Sequence, residues 1–315
     1  MAPLAGELTL FAVEKFKYPV FTSGDLSSTK CIAFIGGLTA GLGTIPYAAK
    51  LSAALKEKGW KLVQFHWSSA YDGYESHDLT TDARETTALA RHLADAANTA
   101  GMTDLIWMGN STGCQDIAKY LSTRNDQNSN SIVKGGILQA PVSDRESVAH
   151  NEETNVMSAE EAATIMREAG KAESMIAEHG DEVAPQLRAE AGGKMTWKRL
   201  HSLYALGGDD DYFSSDLPTS PHDNTAGHAH PLSTSFGQFT VPTLALWSER
   251  DQFAWSGFDT ARTRMRRWAE ACPPDAPLSW AVIDGADHEV TDEEVQEGMI
   301  VVVFAWLEKI GVMKH

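Results

Sequence analysis

Between Lys30 and Gln139 the chain repeats one unit: a short apolar run of strand character, a helical stretch, then another run. Lys30 to Ile35 is apolar almost throughout and ends at Gly36-Gly37. Pro46 to Lys58 reads as a helix, with proline near its first turn and Gly59 just past its end. Lys61 to Trp67 is the next strand and Asp78 to Ala97 a long helix; Asp104 to Met108, Thr112 to Arg124 and Ile132 to Gln139 follow as strand, helix and strand. Strands that are apolar throughout are buried on both faces, and strands joined through helices run parallel. The chain is therefore held to an α/β fold, a mostly parallel central sheet with helices on both faces.

Two further strands, Leu8 to Val13 and Pro19 to Thr22, open the chain. After Gln139 the rhythm breaks. From Arg145 to about Ala191 the sequence is rich in Glu, Ala and Met at helical spacing, and from Trp197 to Phe239 it is irregular, with Gly207-Gly208, Pro218, Pro221 and Pro231. This insertion, at about residues 145–240, reads as a helical cap over the sheet. Strand, helix, strand and closing helix then resume at Pro242 to Trp247, Thr260 to Ala271, Leu278 to Ile283 and Asp292 to Lys309. With no repeat, low-complexity tract or linker, residues 1–315 read as a single domain with a cap, large enough to fold without disulfide or metal.

Composition narrows the partners. There are 43 acidic against 26 basic residues, a net charge of −17, which disfavours nucleic acid and anionic membrane. Cys31, Cys114 and Cys272 show no CxxC spacing and argue for a reducing compartment, against a disulfide framework or zinc site. The opening Met1-Ala2-Pro3-Leu4-Ala5-Gly6 lacks a basic segment, and Glu7 interrupts the apolar stretch that a signal peptide requires. Met299 to Leu307 is about half a membrane span and reads as a buried helix, and Met313-Lys314-His315 carries no targeting signal. The expectation is a cytoplasmic protein needing no cofactor and no metal.

The chemistry centres on Gly109-Asn110-Ser111-Thr112-Gly113, a G-x-S-x-G sequence between a predicted strand and a predicted helix. A turn of that kind lifts the Ser111 hydroxyl above the sheet edge beside the N–H groups of a helix start. Asn110-Ser111-Thr112 is also the one glycosylation sequon, placed here in a turn with no room for a glycan. The plain alternative is a Gly/Ser turn without chemistry, since lone G-x-S-x-G matches are common by chance; the strand–turn–helix context favours the nucleophile. A serine hydroxyl needs a base, and if the chain order is serine, acid, histidine the base lies downstream. His288, in Asp284-Gly285-Ala286-Asp287-His288-Glu289, follows the last strand at the same sheet edge; as a bland alternative it caps the last helix. Asp251, after the strand Pro242 to Trp247, has the right place for the acid that orients it. Glu249 competes two residues upstream, and Asp284 and Asp287 flank the histidine. The backbone amides of Leu38, after Gly36-Gly37, and of Thr112 are the expected oxyanion donors.

Three other groups are ambiguous. His222, His228 and His230 weakly suggest a metal but read better as solvent-exposed loop residues. Gly207 to Leu217 is acidic and aromatic, suited to a cation or a cationic substrate, though a solvated acidic loop is the better reading. Trp67, Tyr71 and Tyr74, with His66 and His77, either line a pocket or pack in the core.

In Phe34-Ile35-Gly36-Gly37-Leu38-Thr39, Gly109-Asn110-Ser111-Thr112-Gly113-Cys114-Gln115-Asp116, Gly207 to Leu217 and Gly285-Ala286-Asp287-His288, the chain resembles a fungal and plant α/β-hydrolase-like family of formerly unknown function. The resemblance runs from about Leu8 to Leu307. Its characterised fungal members are intracellular esterases that open the ester bonds of fusarinine-type hydroxamate siderophores. The resemblance implies an α/β-hydrolase fold, a triad of Ser111, Asp251 and His288, and a ferric hydroxamate ester (fusarinine C or its triacetylated form) as the small-molecule substrate. Iron would stay on the siderophore's own oxygens. The same residues also fit a general carboxylesterase or an acyltransferase on another substrate, or a ligand-binding protein on the same scaffold. A haloalkane dehalogenase would need a carboxylate where Ser111 stands.

Overall fold

The computed structural model describes residues 4–98, 101–123, 132–184, 194–255 and 258–314. The opening strands β1 (Gly6–Val13) and β2 (Phe16–Gly24) pair antiparallel, and β2 pairs antiparallel with β4 (Lys61–Phe65). Parallel pairing joins β4 to β3 (Lys30–Ile35), β3 to β5 (Asp104–Asn110), β5 to β6 (Val133–Gln139), β6 to β7 (Thr243–Ser248) and β7 to β8 (Leu278–Ile283). The sheet order is β1-β2-β4-β3-β5-β6-β7-β8. The chain thus leaves β3 toward one side and returns to it from the other. At such a reversal the crossovers diverge, and a crevice opens beyond the carboxyl ends of the two strands. Gly36-Gly37 and Ser111 stand there, directly after β3 and β5.

Alternation along the strands builds two apolar layers. Leu105 and Trp107 of β5 face one layer with Leu89, Ile117, Met265 and Trp268, whereas Ile106 and Met108 face the other with Leu51, Leu55, Met299 and Val303. The helices that supply these residues are α1 (Ala48–Glu57), α2 (Leu79–Ala94) and α3 (Gly113–Thr123), followed after the insertion by α8 (Phe258–Ala271) and α9 (Glu293–Lys309). Between β6 and β7 lie α4 (Asp144–Ala149), α5 (Asn151–Thr154), α6 (Ala159–His179) and α7 (Trp197–Tyr204). They enclose a third cluster that includes Val148, Ile165, Ala172, Trp197, Leu200 and Leu203 and packs on Leu38 and Tyr74. The expected α/β-hydrolase architecture with a helical insertion is the one the chain adopts.

Differences from the expected elements have local causes. Asp78 does not belong to the helix it was expected to open; its side chain accepts from the Thr81 amide at 3.1 Å and caps α2. The stretch of helical spacing from Arg145 divides into separate helices, because Asn155 is left-handed after α5 and Ser158 closes a capping box with Glu161 ahead of α6. The part of that run from 185 to Ala191, and Arg124 at the end of the expected third helix, lie outside the described residues. Met299 to Leu307 is not buried all round: Met299, Val303 and Leu307 face the core, but Val301 is 67% exposed. Among the described residues no helix is long and apolar enough to cross a membrane.

Candidate active site

The elbow forms because its glycines are needed sterically. A Cβ on Gly109 would sit 2.2 Å from the Gly113 carbonyl oxygen, and one on Gly113 would sit 2.4 Å from the carbonyl oxygen of Ile35. The turn between them holds Ser111 at φ +55°, a left-handed strain typical of functional positions. Its amide donates to the Gln139 carbonyl at 3.0 Å. Gly37 is the other close approach: a Cβ there would lie 2.5 Å from Ser111 Cβ. Asn110 is buried, so the sequon is closed to a glycan, as expected.

Beyond β7 and β8, the structure brings Asp251 and His288 together. Nδ1 of His288 lies 2.8 Å from each carboxylate oxygen of Asp251, and Asp251 Oδ1 also accepts from the Phe253 amide at 2.9 Å. The His288 amide donates to Gln252 Oε1 at 3.2 Å, and the Phe253 ring lies 4.6 Å from the imidazole. A carboxylate at Nδ1 assigns the proton to that nitrogen and leaves Nε2 able to accept one. Burial of His288 favours the neutral ring, but the charge and hydrogen bond of Asp251, with Asp144 and Glu289, outweigh it and hold the pKa above the usual histidine value. The competing acids are engaged elsewhere: Glu249 Oε2 accepts from the Gly285 amide at 2.7 Å, and Asp287 Oδ1 from the Thr291 amide at 2.8 Å. Asp284 makes no hydrogen bond to His288 among the described residues.

Ser111 Oγ and the imidazole share no hydrogen bond in this arrangement; contacts of this kind often tighten only when substrate is bound. What ties the two loops is a pair of residues the sequence reading did not single out for this role. Asn110 Nδ2 and Gln139 Nε2 donate to the His288 carbonyl at 3.3 and 3.1 Å. Gln139 Oε1 accepts from Asn110 Nδ2 at 2.6 Å and from the Tyr47 hydroxyl at 3.1 Å, and Gln139 Nε2 also reaches Ser248 Oγ at 3.2 Å. The available signal was one glutamine directly after the apolar pair Ile137-Leu138 at the end of a strand.

The amides of Leu38 and Thr112 are taken up by no backbone hydrogen bond among the described residues. Both residues line one small cavity, with Trp67, Ser69 and Tyr74 from beyond β4, Asp82 of α2, Asp116 of α3, and Arg199 and Asp210 of the insertion. Trp67 and Tyr74 thus border the site. Tyr71 is largely exposed and stacks on His66, with ring centroids 6.0 Å apart, and His77 bonds back to the Gly73 carbonyl.

The acidic stretch 207–217 is not a solvated loop. Asp210, Asp211, Tyr212, Phe213 and Ser214 are buried. Asp210 Oδ2 meets Arg199 Nη1 at 2.6 Å, Asp211 Oδ2 meets Arg145 Nε at 2.9 Å, and Asp209 Oδ1 meets Lys119 Nζ at 2.8 Å. Nor are the histidines uniformly exposed: His228 is buried and His230 stacks on Tyr212 at 3.9 Å, while His222 is exposed as expected. Asp211, Asp216 and His228 lie close enough together to suggest a metal. Arg145, however, already pairs with both carboxylates, so a cation is in place there.

A family model described as "Protein of unknown function (DUF1749)" matches residues 1–308. The chain is 30% identical over 275 residues to the UPF0613 protein PB24D3.06c of Schizosaccharomyces pombe, covering 85% of this chain and 83% of that one. It is 25% identical over 320 residues to the fusarinine C esterase sidJ of Aspergillus fumigatus, covering 88% and 87%. Among solved structures it is similar to the siderophore hydrolase EstB from Aspergillus fumigatus, with a TM-score of 0.74, 23% identity and 98% of each chain covered.

Proposed function

Because this chain belongs to the DUF1749 family and is similar to proteins named fusarinine C esterase and siderophore hydrolase, we propose that it is a cytoplasmic serine esterase acting on fusarinine-type hydroxamate siderophores. The observation that carries the reading is the Asp251–His288 pair beside a left-handed Ser111 at the reversal of the sheet. In this reading His288 Nε2 takes the proton of Ser111 Oγ as the oxygen attacks the ester carbonyl. The amides of Leu38 and Thr112 hold the oxyanion, and His288 returns the proton to the leaving alcohol. Water, activated by the same imidazole, then frees the acid and restores Ser111. Asp251 keeps the ring in the accepting tautomer and stabilises its cation. The helical insertion acts as a cap over this crevice, within one domain. Iron remains on the substrate's hydroxamate oxygens and no step needs a cofactor.

The test incubates the protein and its Ser111→Ala variant with iron-loaded fusarinine C and its triacetylated form, followed by mass spectrometry. Linear hydroxamate fragments with the unaltered protein alone support both nucleophile and substrate class. Intact rings alongside cleavage of simple aryl esters would keep the esterase and remove the siderophore reading. Turnover by Ser111→Ala at the unaltered rate would sink the whole scheme.

A further inference from the structure

The cavity bordered by Leu38 and Thr112 has about 10 Å³ of open space, room for one water-sized group. Its charged walls are three carboxylates, Asp82, Asp116 and Asp210, against a single cation, Arg199. Asp210 Oδ2 is matched by Arg199 and by Ser202 Oγ at 2.5 Å, and Asp82 receives the Ser69 hydroxyl at 2.6 Å. Asp116 differs. It is only 4% exposed, yet among the described residues no side-chain or backbone donor reaches its carboxylate. Its Oδ1 and the Oδ1 of Asp210 are both sealed from solvent without a partner. Burial, reinforced by Asp82 and Asp210, pushes Asp116 well above the ordinary carboxylate range, and burial raises Asp82 to about 7. Buried carboxylates in this condition accept either protons or a cation.

We propose that this cavity is an ammonium subsite, receiving a protonated primary amine of the substrate with Asp116 as principal acceptor and Asp82 and Asp210 beside it. A primary ammonium is close to water in size and brings three donors to the Asp116 carboxylate, whose Oδ2, unlike Oδ1, is not sealed. The cavity shares Leu38 and Thr112 with the proposed oxyanion site, so the amine belongs close to the scissile carbonyl. The substrate class is then an ester whose acyl part carries a free amine near its carbonyl, an amino-acyl ester. An acetylated amine brings neither the charge nor the fit. This inference rests on the esterase reading and adds to it a selection by charge.

The experiment compares kcat/KM at pH 7 for the ethyl esters of alanine, N-acetylalanine and propionic acid. The alanine ester should be favoured over its N-acetyl form by about tenfold or more, the effect of a single desolvated charge contact. Asp116→Asn, which keeps the shape and removes the charge, should bring the ratio toward one. An N-acetyl ester cleaved as fast as the free amine by the unaltered protein overturns the proposal, whether or not the variant folds. Thermal unfolding with methylammonium or tetramethylammonium chloride at equal ionic strength reads the cavity without turnover. If no ester is cleaved but methylammonium alone raises Tm, the cation site stands, and the siderophore and aryl-ester incubation alone decides the esterase reading. If no ester is cleaved and neither salt raises Tm, the cation site is overturned.

Discussion

Asp251 meets one imidazole nitrogen with both of its oxygens, and that contact decides what His288 is able to do. With the proton fixed on Nδ1, Nε2 is the accepting atom. Replacing Asp251 with Asn puts an amide against Nδ1 and favours the wrong tautomer, so kcat should fall by about 10³- to 10⁴-fold with the circular dichroism unchanged. The same carboxylate raises the histidine pKa, so kcat/KM should decline as pH falls through the neutral range, starting above the usual histidine value near 6.5. A profile flat down to about pH 5.5 would remove His288 as the base. Chain order pointed to Asp251, yet Glu249 fitted the sequence nearly as well. What separates them is the Gly285 amide, donated to Glu249 from 36 residues away, which no local pattern encodes. Gln139 was illegible for the same reason: a lone amide ending a strand acquires meaning only from Asn110, Tyr47 and His288 around it.

The elements show where periodicity is a sufficient guide and where it is not. Strands β3 to β8 and the helices α1, α2, α3 and α8 follow from apolar runs and end signals, because each buries its own pattern against the same two layers. The stretch 207–217 reads as solvated because its partners Arg145, Arg199 and Lys119 come from helices α4, α7 and α3. Charge pattern alone does not say whether an acidic run meets water or arginine. The elbow, by contrast, is a packing problem already visible in its glycines. Gly37→Ala places a methyl against Ser111 Cβ, where something must shift. It should lower kcat by about a hundredfold, the usual cost of moving a reacting group by about 1 Å, while costing about 1–3 kcal/mol of stability. Gly170 gives the opposite case. It is exposed within α6 and a Cβ there meets nothing within 4 Å. Gly170→Ala should therefore stabilise by about 0.5–1 kcal/mol in denaturant unfolding and leave kcat alone.

At the scale of the molecule, stability and activity should respond to pH in opposite directions. Burial, with Asp210 nearby, raises Asp144 to about 7 against a reference value of 3.8, although Arg199 and His288 pull the other way. The folded state therefore keeps this proton after the unfolded chain has lost it, and stability falls as pH rises between about 4 and 7. His288 has the same sign: its raised pKa contributes stability in full below about 6.5, lost as pH rises through the folded value. The depressed groups act lower down. Asp209 is drawn to about 2: burial works against the charged form, but hydrogen bonds from His230 and Lys119 outweigh it, so its contribution is present above about 4 and lost below. Self-repulsion from a net charge of −17 also eases as carboxylates protonate. Tm should consequently be higher at pH 6 than at pH 8, whereas esterase turnover should be higher at pH 8. Calorimetry across pH 5–8 checks this, and Asp144→Asn should flatten part of the slope. A Tm that rises from pH 6 to 8 would mean that neither Asp144 nor His288 holds its extra proton in the folded chain.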